Sequence, residues 1–175
     1  MGKVRRLAGL LTAALLGPGA PTGAALGPYA AACAPGSDRP AMLVRIVGLK
    51  ARSGAVRVQA YGGDPAHYFD KGTYLKRIDV AVPAAGPVEV CMPLARPGIY
   101  AISVRHDVDG SGNTGLADGG GMSGNPRLSL WSVLTRRKPD PVAVEVRVAG
   151  GVVPLSIVMN YVQGGSFRPV ATAAR

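Results

Sequence analysis

The chain has 175 residues, 25 of them glycine and 15 proline, with a formal charge of +10. That length suits one domain with a real hydrophobic core, and so many turn formers exclude a protein built from long helices. The basic residues are spread along the chain, with Arg136, Arg137 and Lys138 as their one run, a pattern that favours a solubilising surface over a dedicated polyanion site.

At the N-terminus Lys3, Arg5 and Arg6 precede an uncharged run from Leu7 to Gly17, and small residues and prolines come after it. This is the order of a secretory signal. The run is about half of the roughly 20 residues a membrane span requires, and Pro18 and Pro21 prevent its extension, so a short uncleaved anchor is the weaker alternative. Residues 1–32 are therefore assigned to a signal peptide cut somewhere between 20 and 32, residues 33–162 to the folded domain and 163–175 to a flexible tail. The expected location is periplasmic or extracellular. Removing the three signal cations leaves +7, so an anionic envelope glycan or lipid surface is the partner class that charge would suit. Nucleic acid is not expected outside the cytoplasm, and no motif for it is present.

The chain holds two cysteines, Cys33 and Cys91. In an exported chain an even count favours a disulfide, here closing a loop of about 60 residues. Lipidation of Cys33 is the competing assignment, because Ala31, Ala32 and Cys33 resemble the end of a lipoprotein cleavage box. It would leave Cys91 an odd thiol.

Alternation marks the strands. Met42, Val44 and Ile46 share one face of the first; Val56, Val58 and Ala60 share one face of the second, and the two read as an antiparallel hairpin. Asp64 before Pro65 caps a single helical turn carrying Ala66 to Phe69. Ile78, Val80 and Val82, then Val88, Val90 and Met92, continue the strand pattern. In the next strand Tyr100, Ile102 and Val104 face one way, and the Tyr100 hydroxyl needs a partner. Gly119 to Pro126 holds too many glycines to pack a core. Arg127 to Leu134 reads as a short strand or edge that tucks in Trp131. Val142 to Val148 and Val153 to Met159 alternate strongly and close the fold. Together these predict a single immunoglobulin-like or transthyretin-like antiparallel β-sandwich of seven to eight strands.

Between the Tyr100 strand and the glycine segment lies HDVDGSGNTGLAD, residues 106–118. Asp107, Asp109, Ser111, the Asn113 carbonyl and Asp118 stand at positions one, three, five, seven and twelve, with Gly112 at six. That is close to the oxygen-ligand spacing of an EF-hand loop, and Ca2+ is the cofactor it would take. Position twelve carries Asp118 where a longer bidentate Glu is usual, and no helix flanks the loop. A glycine-rich loop whose aspartates hydrogen-bond their own backbone is the competing reading. His106 is a possible loop partner, and a transition-metal version would recruit His67 as well.

No nucleophile elbow, zinc-protease helix or phosphate loop occurs. Paired action of Asp107 and Asp109 as acid and base is a distant third reading, and a non-enzymatic protein is expected. A carbohydrate- or polyanion-binding module is the alternative, with Tyr61, Tyr68, Phe69, Tyr74 and Trp131 as a stacking platform.

The signal, the strand GAVRVQAYG, the strand ending RHDVDGSG and the segment GGGMSGNP resemble the bacterial family called domain of unknown function 2141, over about Ala41 to Asn160. The resemblance implies a small exported β-sandwich and brings no activity with it. Members commonly place a further acidic residue at loop position nine, where this chain has Gly115.

Overall fold

The computed structural model describes residues 24–170. Its strands are β1 (Ala41–Val47), β2 (Ala55–Gly62), β3 (Lys76–Ala81), β4 (Val88–Pro93), β5 (Gly98–Asp107), β6 (Gly119–Met122), β7 (Val146–Val148), β8 (Val152–Val158), β9 (Asn160–Gln163) and β10 (Ser166–Pro169), with one short helix, α1 (Leu130–Leu134). A small sheet runs β4-β1-β8 and a large one β10-β9-β6-β5-β2-β3, with β7 also on β5. The protein is all-β and sandwich-like. It has ten strands rather than seven or eight, and β1 pairs with β8 in parallel while the other ladders are antiparallel.

Strand alternation accounts for the core. Met42, Val44, Val56, Val58, Val90, Met92, Ile102 and Ile157 are fully or almost fully buried in one cluster, the residues that period-two patterning turns inward. The Tyr100 hydroxyl donates to the Arg96 carbonyl at 2.6 Å, so its ring can be buried without an unpaired polar group.

The small sheet is covered on its outer side by the N-terminal lead-in. Leu26 donates its amide to the Glu89 carbonyl and forms a parallel bridge with Val90. A 3-10 turn at Ala30–Cys33 carries Cys33 to Cys91 of β4, where the two form a disulfide with Cα atoms 5.7 Å apart. This cover explains why β4 is buried on both faces and how Glu89 comes to be only 4% exposed. Arg45, its cross-strand neighbour on β1, pairs with it at 2.6 Å.

Several expectations are corrected. β1 and β2 do not form a hairpin, because both edges of β1 are taken by β4 and β8; residues 48–54 cross between the sheets instead. The glycine segment does pack a core. Gly119 and Gly121 are buried in β6, Gly119 beneath the Tyr161 ring, and a Cβ on Gly121 would lie 2.6 Å from Ile157 Cγ2 and 2.8 Å from the Val158 carbonyl. Missing side chains are what let the other sheet approach so closely.

Residues 127–134 form no strand. Ser129 caps α1 by accepting from the Ser132 amide, and Trp131 projects outward, 72% exposed. Of the Val142–Val148 run only Val146–Val148 is strand, since Asp140 and Pro141 start a 3-10 turn at Pro141–Ala143. Pro at the first position of such a turn and an aspartate before it outweigh the alternation. The domain does not end at 162: β9 and β10 form a hairpin, and β9 pairs with β6. Gly164 and Gly165, both at positive φ, make its turn. The Asp64 cap on the turn Pro65–His67 is as expected.

Candidate cation-binding loop

The loop joins two neighbouring antiparallel strands. His106 of β5 pairs in register with Gly119 of β6, so residues 107–118 leave and re-enter one ladder and the ends of the loop are rigid. Gly110 and Gly112 have φ of 70° and 78°, backbone that other residues rarely adopt. There the chain turns sharply enough to bring its carboxylates inward.

Asp107, Asp109 and Asp118 each offer an oxygen within 4.8 Å of the others, as the spacing predicts. Asp107 and Asp118 are buried and Asp109 is exposed. Each carboxylate also receives backbone amides. Asp107 accepts from Ser111 at 3.1 Å and Gly112 at 2.8 Å; Asp109 accepts from Ser111 at 3.0 Å; Asp118 accepts from Val108 at 3.1 Å and Gly115 at 2.9 Å. The Ser111 hydroxyl and amide hold the Asp109 carboxyl below its ordinary pKa. Ser111 and Asn113 are exposed, and the Ser111 hydroxyl oxygen accepts from the Asn113 amide at 3.4 Å.

An ionised carboxylate has about four acceptor positions. The amide contacts therefore orient the three groups and leave lone pairs free.

Arg105 is the residue the spacing did not reveal. From the outer face of β5 its guanidinium donates to Asp107 Oδ2 at 3.1 Å, the Gly112 carbonyl at 3.0 Å and the Thr114 hydroxyl at 3.0 Å. Its Nε is buried without a hydrogen-bond partner. Arg105 at Asp107 and Lys50 on the Ala117 carbonyl offset part of the charge of the three carboxylates, and the loop keeps a net negative charge that suits a cation.

His106 is not a loop ligand, because both ring nitrogens are engaged. Nε2 lies 2.9 Å from the Ser53 carbonyl, which can only accept, so Nε2 carries the proton; Nδ1 then accepts from the Tyr161 hydroxyl at 2.6 Å. Tyr161 accepts in turn from the Lys50 amide at 3.1 Å. Burial raises the Tyr161 pKa, with the Lys50 hydrogen bond opposing. These linked bonds fix residues 48–54 to β5, and Ser53 and Lys50 add side-chain bonds to the Val108 and Ala117 carbonyls.

His67 lies beyond the other end of the β2/β5 ladder, past the Gly62–Tyr100 pair. Seven register steps separate that pair from Ala55–Asp107, about 23 Å of strand. A transition-metal site using both histidines is excluded by this placement.

Of the aromatic residues considered for a platform, Tyr61, Tyr68 and Phe69 pack on one another, with both tyrosines buried, while Tyr74 and Trp131 are exposed. Two further polar residues support the strand after the loop. The buried Ser123 hydroxyl accepts from the Ile102 amide at 2.9 Å and donates to the Val144 carbonyl. Asn125, at φ 50°, accepts from the Val158 amide at 2.8 Å and donates to the Ser156 carbonyl at 3.0 Å. It thereby ties β6 to the small sheet. The only sequence trace of this role is an asparagine after glycine, a residue tolerant of positive φ.

Comparison with curated proteins and with solved structures finds no match. A family profile matches residues 44–154, described as "Uncharacterized protein conserved in bacteria (DUF2141)". That span runs from Val44 in β1 into β8 and includes the whole aspartate loop. The chain belongs to this bacterial family.

Proposed function

We propose that the protein is an exported, non-enzymatic β-sandwich whose Asp107–Asp118 loop takes a calcium ion as a structural or recognition site. The observation that carries this reading is the convergence of the Asp107, Asp109 and Asp118 carboxylates within 4.8 Å on a loop held at both ends by one ladder. Calcium requires six to eight oxygens, so main-chain carbonyls and water complete the shell. The Asp107–Arg105 contact lowers the charge available and makes the affinity modest.

Export is supported by the disulfide, which persists in oxidising compartments. The signal itself falls mostly on residues 1–23, outside the described residues. Leu26 pairs with β4, which favours cleavage in the upstream part of the 20–32 window. The Cys33 sulfur is committed to Cys91, and a thioether-linked lipid would need that same sulfur; the disulfide-bonded soluble form is therefore the preferred one.

Isothermal titration with calcium tests the reading. Saturable heat with about one ion per chain is expected, and Asp109→Asn should weaken binding tenfold or more. Asp109 is suited to this test because it is exposed and accepts one amide, so the loop keeps its shape. Absence of heat in the folded protein would remove the calcium claim.

A further inference from the structure

Beside the aspartate loop, on the outer face of the large sheet, a groove of about 520 Å³ lies between Leu116, α1 and the β9/β10 hairpin. Its rim is apolar and protrudes. Leu116 is 76% exposed, Leu134 63% and neighbouring Trp131 72%. Leu116, Leu130, Val133 and Leu134 border one groove, so they form a contiguous patch and not scattered side chains. Arg127 precedes α1, and Arg136 and Arg137 come after it; all three are exposed. Among the described residues none of the three is in an ion pair. The acids near them are engaged elsewhere: Asp140 caps its own turn, and Asp70 takes Lys138 at 2.6 Å.

We propose that this face docks on an anionic lipid bilayer, with Trp131, Leu134 and Leu116 entering the headgroup boundary and Arg127, Arg136 and Arg137 meeting the lipid phosphates. The occupant is chosen by charge complementarity and shape. A projecting tryptophan and leucines flanked by unpaired arginines suit a deformable apolar layer with a negative surface. A soluble polyanion would use the arginines and leave the leucines without a role. Leu116 lies in the aspartate loop and Asp118 lines the same groove, so the vesicle experiment is run in chelator, where the docking stands or falls separately from the ion site.

Trp131 is the single tryptophan of the chain, so its emission reports this face alone, whatever other segments do. The experiment mixes the full chain with vesicles of phosphatidylcholine containing a quarter phosphatidylglycerol, or of phosphatidylcholine alone. A blue shift with the anionic vesicles is expected, with co-sedimentation on the order of a hundredfold weaker on neutral ones, the effect of three arginines at a charged surface. Leu116→Ser/Leu134→Ser and Arg136→Ser/Arg137→Ser should each weaken binding tenfold or more. If the leucine variant fails to fold, the arginine variant decides. Unchanged emission, or variants that bind like the parent, would overturn the proposal. So would binding to dextran sulfate as tight as to vesicles and indifferent to the leucines, which would assign the face to a soluble polyanion.

Discussion

At the scale of single residues, Tyr161 joins three parts of the molecule. Its ring covers Gly119, its hydroxyl donates to His106, and the Lys50 amide donates to it. Tyr161→Phe keeps the ring and removes the oxygen, leaving a buried imidazole acceptor and an amide unpaired. An unmade buried hydrogen bond costs about 1–3 kcal/mol, so urea unfolding should show a loss of that size. None of this was legible in sequence, because His106 and Tyr161 are 55 positions apart and each sits in an ordinary strand pattern. The aspartate spacing, in contrast, is a local signal, and it correctly gathered Asp107, Asp109 and Asp118. Arg105 escaped notice because an arginine on the outer face of a strand looks like any solvated charge.

At the scale of elements, alternation located β1 to β5 and β8 well, since the apolar residues that face the core recur at every second position, even in β4, whose other face is covered as well. It failed at β6, which is made mostly of glycines and whose packing comes from Tyr161 and Ile157. Adding a methyl there is the direct test. In Gly121→Ala the new Cβ meets Ile157 Cγ2 and the Val158 carbonyl, and overpacking of this kind costs about 1–3 kcal/mol, to be read from urea midpoints. Alternation also overreached at Val142, which is 80% exposed, because a run of valines says nothing about the proline and aspartate that precede it.

The β2/β3 ladder carries a pH-dependent contact. Arg57 and Asp79 are directly opposite, and Arg77 joins them, with distances of 2.8 and 2.6 Å to the carboxylate. Burial pushes the Asp79 pKa up, but hydrogen bonds from Arg77 and Arg57 outweigh it and the net direction is down. A carboxyl with a lowered folded pKa stabilises the fold above its unfolded value, about 3.9, and loses that contribution as the pH falls through the folded one. The group is partly exposed, so the effect is below about 1 kcal/mol. Stability of the parent should decline more steeply than that of Asp79→Asn between about pH 5 and pH 2, as followed by urea midpoints.

At the scale of the whole molecule, the lead-in runs along the β4 edge of the three-stranded sheet, where Leu26 bridges Val90, and reaches β3 of the large sheet, with the Lys76 ammonium over the Tyr29 ring. Apart from the continuous backbone, the disulfide is the covalent tie between the lead-in and the three-stranded sheet. Cys33 and Cys91 are 58 residues apart, and closing such a loop stabilises the fold by about 2–4 kcal/mol. Reduction, or Cys33→Ala/Cys91→Ala, should lower the urea midpoint accordingly.

The fold class, this bridge and the loop were legible in the sequence, because each rests on residue type and spacing. The crossover from β1 to β2, the parallel β1/β8 pair and the β9/β10 extension were not. Those depend on which edges are already occupied, and no single segment encodes that.

Whether the three aspartates act as a cation site is open to a direct thermodynamic test. A ligand that binds only the folded state at a hundred times its dissociation constant adds about 2.7 kcal/mol, which for a chain of this size raises the melting temperature by about 5–10 °C. The decisive measurement is the melting temperature with calcium in excess against the same protein in chelator. A rise of that order, lost in Asp109→Asn, is the expected result; identical melting with calcium and with chelator would contradict it.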